Sequence, residues 1–176
     1  MDISKLDAAK RQLDTAINLY FKNADSVSIH TLTAAAHQIL MDLSKPEGIK
    51  SFMKDTSIIK KGKEKEFLAL INEAENFFKH ADKDPHALLK FIPEQTEALL
   101  LDAVEMYMQL TKEMPEDMTI YRVWFLLNNP GIVSDKTKDN LKEKNINVES
   151  FKSKSRPEFY STMKDALIHS KFFTSL

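Results

Sequence analysis

Apolar positions recur every three or four residues along most of this chain, the spacing of one face of an α-helix. Leu6, Ala9, Leu13, Ile17 and Tyr20 form the first stripe and predict a helix from Lys5 to Lys22. Asn23, Ala24 and Asp25 interrupt it, and Asp25 or Ser26 can cap the next helix. That second helix is expected over Val27 to Leu43, with Ile29, Leu32, Ala36, Ile39, Leu40 and Leu43 in register, and Pro46 ends it. A short helical piece is expected in "PEGIKSFMKD", then a lysine-rich loop around Gly62.

The third helix is expected from Lys65 to Ala81, placing Phe67, Leu70, Ile71, Ala74, Phe77, Phe78 and Ala81 on one face. "DKDP" marks its end, since Pro85 cannot continue a helix. Pro93 stands where a first-turn proline belongs. The fourth helix, "EQTEALLLDAVEMYMQL", is apolar around most of its circumference and should be the most buried. "DMTIYRVWFLLNNP" predicts a fifth helix, with Trp124 and Phe125 read as core. Weaker helices are expected near Lys136 to Lys144 and Pro157 to His169. The fold class is therefore all-α: an up-down bundle of four core helices over residues 1–113, with residues 114–176 as a C-terminal helical extension packed on the same domain.

Composition agrees with that pattern. Three glycines and six prolines in 176 residues leave little material for hairpins. With 43% hydrophobic and 29% charged residues the chain reads as an ordinary globular domain. The absence of cysteine excludes disulfides and cysteine-based zinc sites. No apolar stretch approaches the roughly 20 residues of a membrane span, and the charged start lacks a signal peptide's apolar segment, so a cytoplasmic protein without membrane contact is expected. A net charge of −1 with only three arginines, Arg11, Arg122 and Arg156, argues against a dedicated nucleic-acid binder. Lys60, Lys61, Lys63 and Lys65 form one basic run, read as a solvated loop.

Candidate chemistry gathers on two helices. Asn76 and His80 lie one turn apart near the end of the third, so their side chains can meet. A histidine in a last turn also interacts favourably with the helix dipole and needs no other purpose. His30 and His37 are nearly aligned on the second helix, and a polar edge of His30, His37, Asn76 and His80 is the candidate ligand-binding surface. His30 and His37 stand about 10.5 Å apart along their axis, too far to grip one ion, so no metal and no cofactor is expected. Glu94, Glu97, Asp102 and Glu105 read as a solvated stripe on the fourth helix, a buried acid or base being the alternative. Neither a nucleophile elbow nor a phosphate-cradling glycine loop is present.

The order "KLDAAKRQLDTAINLYF", "SVSIHTLTAAAHQILMDL" and a helix ending "AENFFKHAD" resembles a HEPN-type four-helix domain over about residues 1–110. The resemblance implies that fold, a homodimer, and, in active members, metal-independent RNA cleavage by an Arg-Asn-x-x-x-His-like motif in the dimer cleft. Asn76 and His80 match the polar and histidine positions and would be the catalytic pair; Glu75 stands where the arginine belongs. A glutamate there repels the phosphate whose charge must be stabilised. The reading that results is a non-catalytic binding or interaction module with a small-molecule or protein partner. The alternatives are a ribonuclease of the toxin or defence type and a structural dimerisation protein, with RNA not favoured.

Overall fold

The first two helices begin on side-chain caps that satisfy free backbone N–H groups. The computed structural model describes residues 1–131 and 153–169, and these are helical with no strand. Helix α1 spans Lys5–Phe21, and at its start Ser4 Oγ accepts from the Asp7 N–H while Asp7 accepts from Ser4. Helix α2 spans Ser26–Ser44, capped by Asp25, whose carboxylate accepts from the Ser28 N–H at 2.7 Å. Helix α5 spans Pro93–Thr111 with Pro93 in its first turn, and it closes on Lys112 in the left-handed conformation, φ 61°. Helix α6 spans Glu116–Asn128 and α7 spans Arg156–His169. The helix expected near Lys136 to Lys144 lies outside the described residues.

Two expectations fail. The single third helix is two: α3, Glu64–Ile71, and α4, Glu73–Lys79, separated by Asn72 at φ −92° and ψ 3°. That ψ lies far from the helical value near −42°, and asparagine adopts such turn conformations readily because its side chain competes for nearby backbone groups. The expected core face of this segment is only partly used. Ala74 is buried, but Leu70 is 63% exposed. The second failure is the short helix over 46–55. Those residues form turns and bends, because Ser51 and the N–H groups of Phe52 and Met53 donate to Asp102 on α5. Backbone donors committed to a distant carboxylate cannot build a helical ladder.

The chain divides into two compact units, Met1–Ala16 with Asp25–Glu113, and Ile17–Ala24 with Met114–Leu176. In the first, α2 lies against α5 and α4, and α4 against α3. Helix α5 buries Leu99, Leu100, Leu101, Ala103, Val104, Met106 and Tyr107, as its nearly all-round apolar pattern predicts. In the second unit, an aromatic cluster joins Tyr20 and Phe21 to Tyr121, Trp124 and Phe159. The Trp124 indole N–H donates to the Tyr20 hydroxyl at 2.9 Å, and the Arg156 guanidinium lies 3.9 Å from the Tyr20 ring centroid. Trp124 and Phe125 are both buried, in keeping with their reading as core.

Asp117 ties α6 to α7. It accepts from the Tyr160 hydroxyl at 2.7 Å and pairs with Lys164 at 2.5 Å. Burial and then the Asp117 bond push the Tyr160 phenol up to about 12. Burial alone would lower the Lys164 amine, but its bonds to Asp117 and Glu116 outweigh that and raise it.

Candidate functional site

The four polar residues singled out from the sequence fall in two places. His30 and His37 are buried between α2 and α5, at 3% and 0% exposure. Asn76 and His80 are exposed and line one groove beside α4. No shared edge of four exists.

His30 holds Thr96 of α5, Nδ1 to Oγ1 at 2.9 Å. Its ring meets Phe78 and Phe91 edge-on, centroids 5.6 and 5.5 Å apart, and those two rings meet each other at 5.2 Å. Nε2 has no hydrogen-bond partner among the described residues. Burial lowers the His30 pKa from its ordinary 6.5; Glu75 opposes the shift while Lys79 and Lys54 add to it.

His37 belongs to a tighter knot. Its Nε2 lies 2.9 Å from Asp102 Oδ2, and because a carboxylate only accepts, Nε2 carries the hydrogen. Asp102 also receives the Ser51 hydroxyl and the N–H groups of Phe52 and Met53, each of the latter at 3.1 Å. Ser51 in turn accepts from the Lys54 N–H at 2.9 Å. Serine, histidine and aspartate meet here without forming a nucleophilic triad. In a triad the histidine stands between the other two. Here Asp102 stands between them, His37 presents Nε2 to both, and four donors occupy the carboxylate. The cluster is a clamp that fastens the segment after α2 onto α5.

Asp102 is 1% exposed, which overturns its reading as part of a solvated stripe. A lone aspartate inside "LLLDAV" was the available signal, since an acid surrounded by helical apolar positions must find donors or stay out of the core. Ser51 carried no signal of its own.

The groove has a volume of about 740 Å³. Ala69 of α3, Glu73, Asn76, Phe77 and His80 from α4 and the segment just after it, and Asp82, Lys83, Asp84, Ala87, Leu88 and Leu89 from the following loop line it. Asn76 and His80 both line it because four residues make about one helical turn, and the His80 N–H still bonds the Asn76 carbonyl at 3.0 Å. His80 itself has left the helix, with φ −131° and ψ 130°. Leu88 is 97% exposed. Glu73, Asp82 and Asp84 set the charge of the rim against Lys83.

Glu75, at the position where the resemblance wants arginine, does not line the groove. Its carboxylate pairs with Lys79 at 2.5 Å and lies 3.8 Å from the Lys54 ammonium. Lys79, the one cation of α4, is thereby engaged by Glu75. Among the described residues no three histidines or carboxylates converge to hold a metal ion, and no helix is long and apolar enough to cross a membrane. Compared with family models, curated proteins and solved structures, the chain has no match.

Proposed function

We propose that this chain is a cytoplasmic, non-catalytic binding module of HEPN-like fold, homodimeric, which takes a cationic protein segment in the Asn76–His80 groove. The fold family and the dimer rest on the resemblance of the first helices and of "AENFFKHAD". The occupant rests on one observation. Three carboxylates, Glu73, Asp82 and Asp84, face Lys83 around a lining that includes Phe77, Leu88 and Leu89. A lysine- or arginine-bearing segment with an apolar foot complements both parts. Asn76 and His80 supply the directional hydrogen bonds that fix register.

The ribonuclease reading draws support from the presence of Asn76 and His80 in one groove. RNA cleavage also needs positive charge on the phosphate in the transition state. This rim offers the opposite sign, and Lys79 is held by Glu75.

The test is fluorescence anisotropy with a labelled decapeptide alternating leucine and lysine. Saturable binding is expected, weakened about tenfold or more by the Asp82→Lys/Asp84→Lys double variant and by added salt. Absence of binding, or binding indifferent to that charge reversal, rejects the reading.

A further inference from the structure

A second pocket, of about 600 Å³, opens between the last turn of α2, the segment 48–57 and Met106 of α5. It shares no lining residue with the Asn76–His80 groove. Met41, Ile49 and Met106 give it an apolar floor, and Lys45, Lys50 and Lys54 give it cations.

Two acids also line it, and both already have local donors. Asp55 accepts from the Ser57 N–H at 2.8 Å, a bond that holds its carboxyl below the ordinary value, with Lys50 adding a smaller push. Asp42 accepts from the Gln38 amide at 3.2 Å. Lys45 and Lys50 are exposed and form no ion pair among the described residues. The lining therefore sets three lysines against two carboxylates whose positions are fixed by these local donors, a net positive charge.

The wall of this pocket is preformed. Ser51 lines it and is the residue that Asp102 clamps, together with the backbone of Phe52 and Met53. A site held in shape before binding avoids the ordering cost of a floppy loop.

We propose that this pocket binds a small organic anion, a carboxylate or phosphate group on a short apolar body. The anionic head meets Lys45 and Lys50, and the body covers Met41, Ile49 and Met106. Lys54 adds to the attraction. Its side chain is 6% exposed, and its nearest carboxylate, on Glu75, is 3.8 Å away and shared with Lys79. Burial lowers its amine from the ordinary 10.5, and an anion nearby favours the charged form again.

The experiment is an amide NMR titration of the full chain with hexanoate, with phenyl phosphate and with inorganic phosphate. Saturable shifts are expected at Ile49, Lys50 and Ser51 with at least one of the two organic anions. The tighter of the two assigns the head group. A Lys45→Glu/Lys50→Glu variant, which changes exposed side chains only, should bind at least about tenfold more weakly with an unchanged urea midpoint. Absence of saturable shifts with both organic anions overturns the proposal, as does undiminished binding by the double variant. Inorganic phosphate binding as tightly as phenyl phosphate removes the role of the apolar floor and overturns it equally.

Discussion

His30 and His37 on α2 and Asn76 and His80 at the end of α4 are both pairs of polar side chains near one helix face, yet the protein uses them in opposite ways. The α2 pair is sealed against α5, and one ring nitrogen of each finds its partner there. The α4 pair is open to solvent and lines a groove with space left for something else. What separates them is the neighbouring helix. Helix α5 places Thr96 and Asp102 where the α2 histidines need them, whereas past α4 the chain turns away at His80 and leaves a hollow. A polar residue whose hydrogen bonds are made inside the fold is framework. One whose bonds are still available at a concave surface is the better candidate for a partner.

The largest effect should come from removing the centre of the clamp. Asp102→Ala strands the His37 imidazole, the Ser51 hydroxyl and two backbone N–H groups, and should cost about 3–5 kcal/mol in urea unfolding. A loss under about 1 kcal/mol would mean that the clamp does not hold the segment after α2. Ser51→Ala removes one arm and leaves the Lys54 N–H without its acceptor, an expected loss of about 1–2 kcal/mol by the same measurement.

His30 adds a pH dependence of known sign. Its folded pKa lies below the unfolded value near 6.5, so the unfolded chain binds the extra proton first as the solution acidifies. Its stabilising contribution is complete above that value and is lost as pH falls from there toward the lowered folded pKa. Unfolding midpoints compared near neutrality and near about pH 5 should therefore fall less in His30→Leu than in wild type. Equal slopes would show that His30 is not the group sealed from protons. The smallest effect is expected at the groove, where Asn76→Ala and His80→Ala should each shift stability by no more than about 0.5 kcal/mol. A larger loss from either would make these residues framework too and erase the contrast.

Much of this architecture was legible in the chain. The stripes of α1, α2 and α5 are long and regular, and caps such as Asp25 and Pro93 are local signals, so these elements emerge within a residue or two. Asn76 and His80 also fall one turn apart on neighbouring lines in any helix reading, because their proximity depends on only four residues of chain. Most of the failures are non-local. His30 and His37 looked like an exposed edge because the residues that satisfy them lie 66 and 65 positions away. The segment 46–55 looked helical because its composition allows a helix, while Asp102, 49–51 positions further on, claims its donors. The break at Asn72 is intermediate. The apolar period runs straight through it, and only the residue type hints that the backbone turns there.

The central claim is that the groove receives a partner and performs no chemistry on it. The most direct test is incubation of the purified protein with mixed-sequence RNA in EDTA, beside its His80→Ala variant. The carboxylate rim and the Glu75–Lys79 pair predict intact RNA with both proteins. Cleavage by the wild type that is lost in His80→Ala would contradict the account and make the groove a ribonuclease site.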